Sequence, residues 1–475
     1  MDQISFITNY LDQHSRDYME MSDAIWEYAE HRFQEHKSAA QQQAYLAAQG
    51  FRIRADLAGE ETAFIAEYGE GKPALAFCGE YDALAGLSQQ AGVPRREPLP
   101  EQPYGHGCGH NLLGTGCLAA AAALKACMER EGLPGTIRYY GCPAEENAGG
   151  KAFLVRDGLF DDCDIALYWH PFAYNQVVYG SSNANFRVFF TFHGTAAHAA
   201  SAPHLGRSAL DAVELMNVGV NYMREHMIDE ARVHYAVTDT GGNAPNVVQR
   251  QAQVLYAIRA PELGQVKHLY DRIVKIAQGA ALMTETAVEV KQVASYANML
   301  SNTVICRQME KYFAQLPPVQ YTQEELDFAR QFKETLLEED REGLENGAAA
   351  FFGRKLAREQ LAQPIYTAMA ENNKHVAMKG SADLGDVSWK VPAAYFYGTT
   401  WAAGTPPHSW QAAAQGKSSI AHKGMLHAAK VLSCVGYDFL TDPGLVRQAK
   451  AELLETLDGR EYVCPLPPEC KPEVW

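Results

Sequence analysis

Apolar positions at helical spacing open the chain: Ile4, Phe6, Ile7, Tyr10 and Leu11 fall on one face, and a second helical run reaches Ala47 before the break at Gly50-Phe51. Residues 1–70 therefore read as mainly helical. The unbroken apolar run Ala74–Cys78, just after Pro73, reads as a buried strand, and 89–104, with four prolines and no periodicity, reads as loop. A glycine-rich stretch, Gly105–Gly116, then reads as a loop feeding an alanine-rich helix over 117–124. Strands follow at Thr136–Tyr140 and Asp164–Trp169, separated by a helical run through Gly158. Strands alternating with helices predict an α/β unit with a mixed, mostly parallel sheet flanked by helices.

The rhythm changes between 184 and 298. Strand Phe186–Phe192, helix Ser208–Met223, strands Val233–Val237 and Val247–Arg259, helix Leu263–Leu282 and strand Ala287–Val293 give the order βαββαβ, that of a ferredoxin-like α+β unit. The expected organisation is an α/β domain in two parts, 1–183 and 299–475, with 184–298 inserted. In the second part, Glu324–Glu345 reads as one charged helix, Ala393–Gly398 as a strand and Ala421–Leu432 as a late helix.

Composition narrows the function classes. A chain of 475 residues has room for two or three domains, and 47% hydrophobic with 21% charged residues excludes whole-chain disorder. A net charge of −16 opposes nucleic-acid binding. No run of 18 apolar residues predicts a membrane span, and the first residues lack the pattern of a secretory signal. Ten cysteines without a CxxC pair read as reduced thiols of a cytoplasmic protein.

Candidate chemistry sits just past the predicted strands, where open α/β sheets bind their ligands. Cys108 and His110, inside the glycine-rich stretch, are both metal-ligand types, and together they suit zinc or a late divalent transition metal. A glycine-rich turn capping a helix explains the same residues without a metal. Glu145 and Glu146 follow the strand ending at Tyr140; adjacent carboxylates there can serve a metal and its water, or simply sit at a helix start. His170 closes the strand Ile165–Trp169. His408 lies in the proline-stiffened Gly404–Trp410, and Asp82 follows strand 74–78 as a carboxylate able to orient an imidazole. Singly, each has a plain structural explanation. Clustered past successive strands, they supply donors for two metals.

In order, Asp82-Ala-Leu, Cys108-Gly-His110, Pro143-Ala-Glu-Glu146, His170 and His408 resemble the M20 metallopeptidases, relatives of aminoacylase, and more narrowly their amidohydrolase branch. Within the insertion, the stretch His193–Pro203, which holds His198, and Gly206–Asp211 are similar to that family's dimerisation-domain signature. The resemblance implies a zinc-peptidase-like catalytic domain carrying a dimerisation domain. It also implies two divalent ions, manganese or zinc, per subunit. Cys108 would bridge them, His110 and His170 would complete one metal, and Glu146 and His408 would serve the other.

By the same resemblance Glu145 is the general base, and His198 reaches in from a partner subunit as the oxyanion donor. Asn246 and Arg259 would bind the free carboxylate of an N-acyl amino acid. Without the resemblance, His198 reads as a surface-loop histidine, Asn246 as a turn residue after Pro245 and Arg259 as an ordinary strand-end arginine. The stretches Ala244–Val248, Gly380–Ser388 and Gly404–Trp410 point within the branch to aminobenzoyl-glutamate as the substrate. Dipeptides and indoleacetyl or benzoyl conjugates are the alternatives. The chain is expected as a homodimer or as a heteromer with a related amidohydrolase subunit. Two readings from other classes are a subunit that only completes a partner's site and a metal-storage protein. One departure stands out: the branch usually reads Gly-His-Asp where this chain has Gly109-His110-Asn111.

Overall fold

The computed structural model describes residues 2–367, 369 and 380–474. Three helices, Gln3–Gln13, Ser15–Tyr28 and His36–Ala48, precede strands β1 (Arg52–Leu57), β2 (Glu60–Glu70) and β3 (Ala74–Glu80). A two-stranded ribbon, β4 (Leu84–Ala85) with β5 (Tyr104–Gly105), follows, then the long helix His110–Glu131 and β6 (Gly135–Cys142). The short helices Glu145–Ala148 and Gly150–Arg156 lead to β7 (Ile165–Phe172) and β8 (Gln176–Val177). The insertion contributes β9 (Ala184–His193), β10 (Arg232–Asp239), β11 (Gln251–Ala260) and β12 (Ala287–Tyr296). β13 (Ala393–Thr399) returns to the first sheet.

That first sheet has the order β1-β2-β6-β3-β7-β13-β8. Its centre, β6-β3-β7-β13, is parallel, and the pairs at both edges are antiparallel. All of β3 is buried, as expected of a parallel strand covered on both faces. The helix His110–Glu131 is long and apolar enough to cross a membrane, yet it is buried in this core beside Ser419–Thr441.

Three sequence expectations need correction. Residues 1–70 are helical only to Ala48, after which β1 and β2 form a hairpin. Its turn, Ala58-Gly59, takes two consecutive positive φ values, +54° and +80°, as two-residue hairpins require. The glycine-rich loop also ends earlier than expected, since the helix begins at His110. Gly114 and Gly116 are helical glycines that permit close packing: a Cβ at Gly114 would lie 2.3 Å from the Glu80 carbonyl oxygen, and one at Gly116 2.7 Å from Trp169 Nε1. The charged stretch 324–345 falls in two helices, Gln323–Glu334 and Glu338–Phe352, which separate where Leu336 is buried.

The inserted segment forms its own antiparallel sheet, ordered β10-β11-β9-β12, and its own core. Strict alternation along β11 buries Val254, Tyr256 and Ile258 against helices Ala209–Met223 and Leu263–Thr284. The intervening residues, Arg259 among them, occupy the opposite face.

Candidate metal centre and active site

Turns at the carboxyl ends of the parallel strands bring the candidate ligands together. Gly109 takes φ +76°, and a Cβ there would sit 2.9 Å from Pro171, so glycine is required where the Cys108 turn enters the helix. After β6, Ala144 adopts the left-handed conformation and throws Glu145 and Glu146 onto a single helical turn. His408, also left-handed at φ +54°, is tied to the Cys108 loop by its own N–H, which donates to the Gly107 carbonyl at 2.9 Å.

Within these turns, Cys108 Sγ lies 3.4 Å from His170 Nε2, and His408 Nε2 lies 3.3 Å from Glu146 Oε2. The donor atoms form two groups, Cys108 with His110 and His170, and Cys108 with Glu146 and His408. Within each group all atoms lie within 4.8 Å of one another. Cys108 is common to both. A third group, Glu80, His110 and Glu145, adjoins them. His170 Nδ1 is held by the Pro171 carbonyl at 2.7 Å, which turns Nε2 toward the thiol.

Asp82 supports two candidate ligands at once. One of its oxygens accepts from His110 Nδ1 at 2.7 Å, the other from the backbone N–H of Glu146 at 3.0 Å. Several supports are not apparent from sequence motifs. Glu80 accepts from Lys151 and from the Tyr168 hydroxyl, while Lys151 also donates to Asp383 at 2.6 Å; Glu80, Lys151 and Asp383 are fully buried. Glu35, equally buried, accepts from the Ala144 N–H at 3.0 Å and from the Thr62 hydroxyl, bracing the strained turn before Glu145. Glu80, two residues before Asp82, carried a positional hint. Lys151 and Glu35 lay in segments whose local pattern marks only helix.

Electrostatics divide the two adjacent carboxylates. Burial pushes the Glu145 carboxyl well above the usual carboxylate range, and the charges of Glu80, Asp383 and Glu146 add to it. Glu146 moves the other way, because His408 and His110 outweigh its burial. Burial and Glu146 oppose ionisation of Cys108, yet the imidazoles of His170 and His408 pull its thiol down to about 6.

This arrangement fits divalent cations. The buried Glu146 Oε1 has no hydrogen-bond partner among the described residues, and His110 Nε2 makes no hydrogen bond there either, although a Glu80 carboxylate oxygen lies 3.2 Å from it. Thiolate, imidazole and carboxylate together suit zinc or a neighbouring divalent metal. Glu80, Asp82, Glu145, Glu146 and Asp383 bring five carboxylates to this region, and among the described residues Lys151 alone brings a fully buried ammonium.

Beside the donors opens a cavity of about 430 Å³, lined by Cys108, Glu145, Glu146, His170 and His408 and, from the inserted sheet, by Arg187 and Arg259. Arg259 thus meets the ligand cluster. His198 and Asn246 do not: both are exposed and absent from the cavity wall of their own chain. They neighbour each other instead, since the Ala199 N–H donates to the Asn246 carbonyl at 2.9 Å and His198 bridges Val247. His198 Nδ1 accepts from the N–H groups of Ala200 and Ser201, so Nε2 carries the ring proton outward.

Asn111 has a role of its own. Its amide donates to Ser22 Oγ at 3.0 Å and to the carbonyls of Ser22 and Gly416, three acceptors that an aspartate could not serve.

Comparison with known proteins agrees with the geometry. The profile of peptidase family M20/M25/M40 matches residues 76–410. The chain is 44% identical to one of the subunits of p-aminobenzoyl-glutamate hydrolase from Escherichia coli, over 98% of both chains. Among solved structures, an aminobenzoyl-glutamate utilization protein from Klebsiella pneumoniae superposes with a TM-score of 0.60 at 17% identity, covering 93% of this chain and 99% of that one. A Bacillus subtilis protein described as a dinuclear metal binding peptidase superposes with a TM-score of 0.53, also at 17% identity, over 89% and 99%. At these identities the structural matches establish the shared fold.

Proposed function

The chain belongs to peptidase family M20/M25/M40, and we propose that it hydrolyses the amide of an N-acyl amino acid, foremost p-aminobenzoyl-glutamate, yielding p-aminobenzoate and glutamate. The observation that carries this reading is the clustering of five metal-ligand side chains, four of which line one cavity together with the buried Glu145 and with Arg259. Cys108, His110 and His170 would hold one divalent ion, and Cys108, Glu146 and His408 a second, zinc or manganese. Such a pair, when bound, acidifies a water and polarises the amide carbonyl.

Glu145 performs the proton transfers. Its raised affinity for protons suits a base that accepts one from the attacking water and returns it to the leaving nitrogen. Asp82 keeps the His110 ring and the Glu146 backbone in register while it does so. Arg259 takes the free carboxylate of the amino acid, a task that suits a guanidinium fork.

His198 and Asn246, exposed on the inserted segment, would enter the cavity of a second subunit, where His198 Nε2–H can donate to the developing oxyanion. Exposed Val218, Tyr222 and Val247 on the same segment support association with another copy or a related subunit. We place the protein in the cytoplasm, a reading supported by ten cysteines that form no disulfide.

The test is hydrolysis of p-aminobenzoyl-glutamate by the purified chain with added manganese or zinc, before and after chelation. Activity lost with the metal and restored by it supports the reading. Undiminished activity after exhaustive chelation, confirmed by elemental analysis, overturns it.

A further inference from the structure

The cavity holds two guanidinium groups, and the reaction as described employs one. Arg187 on β9 and Arg259 on β11 both line it. In the sheet register Arg259 lies opposite Asn185, and Arg187 follows two residues along the same strand. The two arginines are therefore diagonal neighbours on the face turned away from the helices, roughly 7–8 Å apart at the backbone. Both are half-buried, and the Nε of each is shielded from solvent without a hydrogen-bond partner. Among the described residues neither guanidinium has an ion pair, although the chain carries 57 acidic residues against 41 basic ones. Two adjacent, half-buried cations call for anions that the described residues do not supply.

We propose that Arg187 is a specificity residue. It binds the side-chain carboxylate of an acidic leaving amino acid while Arg259 binds the α-carboxylate, so the substrates are N-acyl derivatives of dicarboxylic amino acids. The inference rests on the amide-hydrolase reading of this cavity and deepens it. A single carboxylate fills one guanidinium fork and leaves the other cation desolvated and unpaired, whereas a glutamyl group offers one carboxylate to each. The metal donors and Glu145 line the α/β side of the same cavity, so the amide is assigned to that side and both acid groups to the inserted sheet. A site built to pair a substrate charge strongly rejects an isostere that lacks it.

The experiment compares p-aminobenzoyl-glutamate with its isosteric glutamine counterpart. kcat and KM are measured on the metal-loaded wild type, Arg187→Met and Arg187→Lys, and both compounds are titrated calorimetrically into the metal-free proteins. The wild type is expected to prefer the glutamate compound. Arg187→Met should shrink that preference by ~10–100-fold, mainly through KM and with a matching loss in the calorimetric affinity ratio, and Arg187→Lys should restore part of it. A wild type that turns over both compounds equally well overturns this inference and leaves the amide-hydrolase reading standing. So does an Arg187→Met that weakens both substrates by the same factor. A wild type that cleaves neither, yet binds the glutamate compound more tightly in an Arg187-dependent way, overturns the hydrolase reading and supports this one. Absence of both turnover and binding preference overturns both. If Arg187→Met fails to fold, the wild-type preference and the lysine variant still decide.

Discussion

The two walls of the cavity treat their charges differently. On the α/β side the supporting groups are held by neighbours: Asp82 by His110 and Glu146, Lys151 by Glu80 and Asp383, Glu35 by Thr62 and the Ala144 backbone. On the inserted side Arg187 and Arg259 lack ion pairs among the described residues, and on the same segment, outside the cavity wall, His198 and Asn246 stand exposed. The first wall is arranged before any substrate arrives. The second is completed by what binds to it. Preorganised charges in a dry site do more for chemistry than the same charges in water. Groups that must select a ligand or reach a neighbouring subunit have to leave their partners open.

The largest expected effects lie on the preorganised wall and separate its two adjacent carboxylates. Glu145→Gln keeps the shape and removes the proton acceptor, so turnover should fall at least ~10²-fold with metal content retained. Glu146→Gln should lose metal as well as activity. Elemental analysis beside steady-state kinetics checks this, and equal metal loss in both variants would break the division of roles.

The next effect concerns support. Asp82 accepts from two N–H groups, and an amide in its place meets one of them with a donor. Asp82→Asn should weaken metal affinity by ~10–100-fold, read by competition with a chelator. Unchanged affinity would show that the ligands hold their positions without it.

A smaller effect sharpens the other wall. If His198 serves the neighbouring subunit, Glu145→Gln and His198→Ala should each be nearly inactive alone. Half the dimers in a random mixture carry both variants, and each of these has one intact site. About a quarter of wild-type activity should return in a two-fold symmetric dimer. No recovery despite verified subunit exchange would detach His198 from a shared site.

The smallest effect tests whether Asn111 belongs to packing. Asn111→Asp removes donors to three buried acceptors and should destabilise the fold by ~1–3 kcal/mol while metal binding persists. Burial raises the pKa of such a carboxyl, so the destabilisation should grow as pH rises and the folded state is forced to ionise it. Denaturant titration at two pH values measures it.

Legibility in the sequence followed the range of the forces involved. The βαββαβ order of the insertion was readable because each amphipathic element there buries one face against a single partner layer, and the local period reports that face. β1 and β2 were missed because their turn depends on backbone dihedrals at Ala58 and Gly59 and their burial on packing by β6 and the helix His36–Ala48. The glycine-rich stretch misled for a related reason. Gly114 and Gly116 serve contacts with Glu80 and Trp169, which come from distant parts of the chain.

The same boundary runs through the site. By itself the sequence determined which candidate donor types are present and their order, because metal chemistry admits few side chains and these recur just past apolar strands. Only the tertiary structure decided that Cys108 is common to both donor groups, that Lys151 and Glu35 stand behind the carboxylates, that Arg187 joins Arg259, and that His198 and Asn246 are exposed and absent from the wall of their own cavity. The reason is physical. A residue's chemical type is a local property, whereas the partner of a buried charge is set by which strands the sheet makes neighbours, and sheet pairing joins positions far apart in the chain.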